Sequence, residues 1–90
     1  MNFPLFEDVI LQVDLPEEGV LAGDIGVVVE RHDVPELETG YSVEFFNMSG
    51  DTMAVVTVAG SKLRLPIAAD LPMVRQFHAP RTMQAVPLAV

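Results

Sequence analysis

Gly23-Asp24-Ile25-Gly26-Val27-Val28-Val29 is the stretch on which the interpretation of the fold rests. Glycines on either side of the Asp24-Ile25 pair indicate a tight turn, and the valines that follow have the β-branched side chains typical of strands. We interpret Gly23, Asp24 and Gly26 as structural, with Gly26 supplying backbone freedom. The Asp24 carboxylate is expected to accept a hydrogen bond within its own turn. The loop 14–24 leads into this turn from an earlier strand candidate.

Alternation of residue types with period two predicts five short strands along the chain. They are Asp8–Val13, Ile25–Glu30, Tyr41–Phe46, Thr52–Val58 and Lys62–Leu65. The side chains expected to share one core are Val27, Val29, Val43, Phe45, Val55 and Leu63. The five strands predict an all-β fold, and their number in about sixty residues favours a single small barrel, because closure removes sheet edges. Residues 1–65 are therefore predicted to form a small five-stranded SH3-like barrel.

Residues 66–90 differ in character and are assigned to a Pro-containing C-terminal arm. Four prolines block a long helix, although one helical turn is expected around Ala68–Gln76. These prolines are Pro66, Pro72, Pro80 and Pro87. The segment is nevertheless apolar, which leaves three alternatives: an irregular coil over the barrel, a disordered tail, or an arm that docks on a partner or a second copy.

The formal net charge of −8 is unevenly distributed. Residues 1–61 contain twelve acids and one base, Arg31, which gives −11, whereas residues 62–90 contain four bases and one acid, which gives +3. An acidic surface repels phosphate backbones, so nucleic acid is an improbable partner. The same field would attract a basic protein, although acids also serve simply to keep a small domain soluble.

The predicted partner surface combines the acidic loops 14–24 and 32–40 with an exposed aromatic side chain, and the C-terminal arm is a further candidate for it. Its residues are Glu17, Glu18, Asp33, Glu36, Glu38 and Phe46. The acids lack the spacing of a calcium-binding loop, so no metal site is predicted. His32 and His78 lie in separate loops without an evident partner, so no catalytic residue and no cofactor are predicted. The methionines Met48, Met53, Met73 and Met83 are interpreted as gap-fillers.

The chain contains no cysteine, which excludes disulfides and thiolate metal sites. The N-terminus lacks a basic segment followed by a long apolar run, so no signal peptide is predicted. No apolar stretch reaches the length of a membrane-spanning helix. These features favour a cytoplasmic location.

Several short motifs together resemble the bacterial family called domain of unknown function 4926, over residues 3–65. The matching motifs are Phe6-Glu7-Asp8-Val9, Asp14-Leu15-Pro16 with Gly19, Gly23-Asp24-Ile25-Gly26-Val27-Val28, Tyr41-Ser42-Val43-Glu44-Phe45, and Thr57 with Leu63. The resemblance implies a small β-barrel without assigned catalysis. It also implies a companion of another small protein, in the manner of an antitoxin. The arm after Pro66 falls outside the resemblance.

The leading hypothesis is a non-enzymatic module that binds a basic partner protein, either as an antitoxin-like protein or as an accessory subunit. One alternative is a KOW-like barrel associated with RNA or the ribosome, which would use the 23–29 turn and strand. Another is an SH3-like accessory chain of a metalloenzyme, whose metal would reside in a separate subunit. Self-association through the C-terminal arm is a further possibility.

Overall fold

Five antiparallel strands form one open sheet in the computed structural model, which describes residues 2–79. The strands are β1 (Asp8–Leu11), β2 (Ile25–His32), β3 (Gly40–Phe46), β4 (Thr52–Ala59) and β5 (Leu63–Arg64). Short 3₁₀ turns at Pro16–Glu18 and Gly60–Lys62 precede β2 and β5. The strand order is β4-β3-β2-β1-β5, so the all-β class and the five strands are confirmed. Closure of this sheet into an SH3-like barrel stays a prediction.

The part of the chain that the structure describes contains no helix long and apolar enough to cross a membrane.

The core lies on one face of the sheet, where side chains from neighbouring strands stand directly opposite one another. Val28, Val43 and Val56 form a row across three strands, because Val28 pairs with Val43 and Val43 pairs with Val56. All three are buried. Tyr41 lies beside this row and meets the ring of Phe3 edge-on, at 5.1 Å between centroids. Each such burial contributes about 1.5–3 kcal/mol, so this face holds the sheet together.

Half of the predicted core assignment was wrong, because the parity of two strands was reversed. Val43, Phe45 and Leu63 are buried as predicted. Val27 and Val29 are only half-buried, and Val55 is 53% exposed. Their neighbours Val28 and Val56 take the core positions instead. A one-residue shift moves every side chain of a strand to the opposite face, and unbroken valine runs give no sign of which face is correct.

Gly26 explains why β2 turns Val28 inward. A Cβ atom on Gly26 would lie 2.5 Å from Val43 Cγ1 and 3.0 Å from Phe45 Cε1, so this position faces the core at a point without room for a side chain. Gly26 does not have a positive φ, so the expected role in backbone freedom was wrong. Its role is close packing of β2 against β3. Gly23, by contrast, has φ 97° and does supply the left-handed turn residue.

The C-terminal segment follows the sheet without joining it. Residues 65–79 contain no strand and no helix, so the helical turn expected around Ala68–Gln76 is absent. A single hydrogen-bonded turn lies there instead, closed by Asp70 N–H donating to Ile67 O at 3.0 Å. Phe77 then packs against the core cluster. The predictions made for Pro80, Met83 and Pro87 fall outside the described residues.

Gly26→Ala should lower the free energy of unfolding by about 1–3 kcal/mol, because the added methyl group overpacks the contact with Val43 and Phe45. Gly40→Ala is the matched control, since its Cβ would come no closer than 3.6 Å to any neighbour. The control should change stability by less than about 1 kcal/mol. Urea denaturation of both variants measures the difference. Equal stabilities would show that Gly26 is not a packing constraint.

Candidate functional site

A groove of about 650 Å³ lies at the end of the sheet where β2 begins and β3 ends. These ends are adjacent because β2 and β3 run antiparallel. The floor includes Val20 and Phe45, and one wall is the β3–β4 hairpin. The opposite wall is formed by residues 73–77, which belong to a segment that we call the strap, residues 71–77. The groove therefore joins the sheet to the C-terminal segment.

The hairpin wall is held by local hydrogen bonds of Asn47. Its side-chain oxygen accepts from the backbone N–H of Ser49 and of Asp51, each at 2.9 Å. Gly50 completes the turn with φ 86°. This compact turn presents Phe46 and Met48 toward solvent, and the Met48 side chain is 94% exposed. The aromatic residue expected on the surface, Phe46, is thus confirmed there and lines the groove.

The strap wall is apolar and strongly exposed. Met73 is 89% and Val74 is 88% exposed, and both line the groove. A run of exposed apolar side chains is unusual in a stable monomer and marks a candidate interaction surface. The interpretation of Met48 and Met73 as gap-fillers was therefore wrong. Met53 is half-buried in the same groove.

Two arginine–aspartate pairs bracket the exposed part of the strap. Directly before it, Arg64 donates to both carboxylate oxygens of Asp70, at 2.8 Å and 2.7 Å. Near its end, Arg75 donates through Nε to Asp24 Oδ1 at 2.9 Å and through Nη2 to Asp24 Oδ2. Such two-point contacts fix orientation as well as charge, because the planar guanidinium matches the carboxylate. The strap is consequently tied to the sheet region at both ends.

These ion pairs shift the pKa values of groups that form them. Hydrogen bonds from Arg64 and from the backbone N–H of Ile67 lower the pKa of Asp70 to about 2. The hydrogen bond to Asp24 raises the pKa of Arg75. The Asp24 carboxylate also accepts from Leu21 N–H at 2.8 Å, which confirms its predicted role in its own turn. Asp24 therefore serves the turn and the strap together.

Two of the acids predicted to contact a partner are engaged within the chain. Asp33 accepts from Arg31 Nε at 3.0 Å and from Thr39 Oγ1 at 3.1 Å, and the hydrogen bond from Arg31 lowers its pKa. Glu38 accepts from the backbone N–H and from the hydroxyl of Ser61, at 2.6 Å and 3.0 Å. Both acids thus help to fix the loop between β2 and β3.

The other predicted acids are exposed, but Glu36 lies far from Phe46. Glu17 and Glu18 belong to the first 3₁₀ turn, in the loop that ends beside the groove. Glu36 lies in the loop before β3, whereas Phe46 ends that strand. Seven residues of strand span on the order of 20 Å. The structure therefore places the loop between β2 and β3, which is shorter than predicted because His32 ends β2 and Gly40 begins β3, at the opposite end of β3 from Phe46.

His32 lies close to a hydroxyl and a carboxylate without the geometry of a catalytic triad. Its Nε2 is 2.8 Å from Ser42 Oγ and 3.6 Å from Glu30 Oε1. A triad uses the two ring nitrogens separately, one for the nucleophile and the other for the acid. Here both contacts fall on one nitrogen, and Ser42, only 6% exposed, also bonds Thr57 at 2.7 Å. Among residues 2–79, no group of three or more His, Asp or Glu could hold a metal ion.

Sequence reasoning considered the C-terminal arm as a contact surface but missed that the strap folds back on Asp24. Arg75 and Asp24 are far apart in the chain, and no local pattern links them. The available signal was the presence of basic residues in an apolar segment that follows an acidic domain. This charge contrast could have indicated that the segment folds back on the domain.

The sheet and the groove define a small all-β domain with an apolar surface site at one end. The chain belongs to the family Domain of unknown function (DUF4926), whose sequence profile matches residues 5–65. The resemblance found in the motifs is thereby confirmed, and the strap lies beyond the matched residues. No curated protein and no solved structure matches the chain significantly.

The Asp70 carboxyl group should titrate with a midpoint near its lowered pKa of about 2 rather than at its ordinary 3.8. Because the folded-state pKa is the lower one, the stabilising contribution is complete above pH 3.8 and is lost as the pH falls through about 2. NMR of the Asp70 side-chain carbon against pH measures the midpoint.

Arg64→Gln should move the Asp70 midpoint back toward 3.8, because it removes the larger cause of the shift. Arg31→Gln, which breaks a different ion pair, should leave the midpoint unchanged. A wild-type midpoint at the ordinary value would contradict the Arg64–Asp70 pairing.

Proposed function

We propose that this chain is a non-enzymatic protein-interaction module that binds an apolar segment of a basic partner protein in the groove. The observation that supports this proposal is the exposure of Phe46, Met48, Met73 and Val74 around one concave surface. Methionine side chains are flexible and polarisable, so they adapt to apolar partner surfaces. Aromatic and methionine residues are also enriched at the centres of protein interfaces.

The shape of the groove favours a polypeptide over a small molecule. Small-molecule sites bury most of the ligand surface between their walls and offer a few convergent polar groups. Here the wall residues Met48 and Met73 are almost fully exposed, so the groove is open along its length. Its charged pair, Asp24 and Arg75, is already engaged within the chain. A segment of another protein could cover this surface, whereas a small ligand would remain largely solvated.

The charge distribution favours a basic partner. Residues 1–61 carry −11, and Glu17 and Glu18 are exposed in the loop that leads to the groove. A field of this sign accelerates encounter with a cationic surface and repels polyanions. It therefore disfavours the KOW-like alternative, since RNA binding requires neutralisation of phosphates by Lys or Arg.

Within this class, neutralisation of a small basic toxin and service as an accessory subunit both fit an acidic domain with an apolar groove. Both roles need a partner in the same compartment, which we propose to be the cytoplasm. Neither role requires a reacting group in this chain.

Phe46→Ser with Met48→Ser should weaken peptide binding in the groove at least about tenfold, equivalent to about 1.4 kcal/mol. The probe is a set of peptides selected on the wild-type chain from a random display library. Fluorescence polarisation with the soluble peptides measures their affinity for each variant. Selected peptides should combine apolar and basic residues.

Val34→Ser with Leu37→Ser provides the matched control, because these apolar residues are also exposed but lie in the loop between β2 and β3. This pair should change peptide affinity by less than about twofold. Equal losses of peptide affinity in the two double variants would contradict binding in the groove. Tighter binding of a single-stranded RNA than of any selected peptide, at physiological salt, would replace the proposal by the RNA alternative.

Glu17→Lys with Glu36→Lys should slow association of a basic selected peptide at low salt, because both changes reduce the attractive field. The dissociation rate should change little, since neither residue lies in the groove. Stopped-flow measurements at two salt concentrations separate these rates. A slower association that persists at high salt would point to a contact rather than to steering.

A further inference from the structure

The strap rests on a site that the family-matched part of the chain builds by itself. Asp24 is oriented by the N–H of Leu21, and its side chain is 20% exposed. Gly19 ends the first 3₁₀ turn in the left-handed conformation, with φ 80°. Its carbonyl oxygen and the Asp24 carboxylate both accept hydrogen bonds from the strap. We call the seat the site formed by these two acceptors and the Cα of Gly19, which carries no side chain.

Arg75 satisfies both acceptors of the seat. Its Nε and Nη2 donate to the two carboxylate oxygens of Asp24, and Nη2 also donates to Gly19 O at 3.2 Å. This arrangement requires a planar group with several donors in fixed directions, which arginine has and lysine lacks. The polar half of the seat is therefore selective for arginine.

Phe77 fills the apolar half of the seat. A Cβ atom on Gly19 would lie 2.7 Å from both Cε1 and Cζ of the Phe77 ring, so the ring approaches as closely as it does only because residue 19 is glycine. The ring also packs against the core cluster. Arg75 and Phe77 are two residues apart, and in an extended segment such residues point to the same side. The seat thus fits an Arg-X-aromatic sequence.

We propose that the seat is a recognition site for an extended Arg-X-aromatic segment of another protein, and that residues 75–77 occupy it within this chain. The seat lies inside the family match, residues 5–65, whereas its occupant lies outside. Occupancy leaves Met73 and Val74 exposed and involves no strand, so the strap can leave without breaking the sheet. The charge of −11 over residues 1–61 favours an incoming arginine.

This inference goes beyond binding in the groove, because it concerns the surface that Arg75 and Phe77 cover, although that surface shares Asp24 with the groove. An occupant tethered to its own site has an effective concentration in the millimolar range. A free segment of the same chemistry therefore binds the wild-type chain weakly and binds much more tightly once the tethered occupant is removed. This difference in affinity is the signature of a seat that can be exchanged.

The test uses a fluorescein-labelled peptide with the sequence of residues 71–79 and the full-length chain. Arg75→Ala with Phe77→Ala empties the seat, and fluorescence polarisation should show at least about tenfold tighter peptide binding than to the wild type. Adding Asp24→Asn to the emptied chain should weaken binding at least about tenfold, because it removes the charged acceptor. Arg31→Ala, which opens an ion pair elsewhere, should behave as the wild type.

A peptide with lysine in place of arginine should bind the emptied chain less tightly, since it cannot make the two-point contact. Equal affinities for the wild-type and emptied chains, or binding insensitive to Asp24, would overturn the proposal. Sedimentation of the wild type as a dimer that the emptied chain does not form would also overturn it, because the occupant would then be a second copy.

Circular dichroism establishes whether the emptied chain is folded. If it is not, Arg75→Lys replaces it, because this variant keeps the charge and the Phe77 ring and loses only the planar fork. The proposal then requires that the peptide bind the Arg75→Lys variant more tightly than the wild type. Equal affinity for the two chains would overturn the proposal. The groove experiment uses different peptides and the residues Phe46 and Met48, so failure of either proposal is recognisable separately.

Discussion

The close approach of β2 to β3 at Gly26 is the constraint on which the rest of the structure depends. Because no side chain fits between Gly26 and Val43, this position must face the core, and strand alternation then places Val28 inside as well. Val28 in turn continues the buried row through Val43 to Val56. Outside this row, a half-buried Val27 and an exposed Ile25 occupy the opposite face. One missing side chain therefore decides which residues of β2 form the core.

The strap depends on the sheet in a different way, since no strand pairing holds it. The Arg75–Asp24 pair is partly shielded from water and makes a two-point contact, so it contributes more than an ordinary exposed ion pair. The Phe77 ring adds free energy by packing against Gly19 and the core. A segment held by two side chains opens at a far lower free energy than the sheet does. This difference in local stability is what permits exchange at the seat.

The strands could be predicted from the sequence more reliably than the face each one buries. Alternation in Tyr41–Phe46 is unambiguous because Ser42 and Glu44 interrupt the apolar residues, and that strand was assigned correctly. The valine runs of β2 and β4 lack such interruptions, so Val28 and Val56 could not be distinguished from their neighbours. The groove could not be predicted either, because it forms only when the strap returns to Asp24 across a long stretch of chain.

Some acids of this chain stabilise its own structure, and all of them contribute to the electrostatic field that a partner would meet. Asp24, Asp33, Glu38 and Asp70 accept hydrogen bonds that fix a turn, a loop or the strap. Net charge far from zero still acts at a distance, because satisfying a carboxylate locally does not remove the field of the whole domain. Encounter is then governed by the summed charge, and affinity by the few apolar contacts that exclude water. An acidic domain with an exposed apolar groove can thus attract many cationic surfaces and retain only those that present a matching apolar segment.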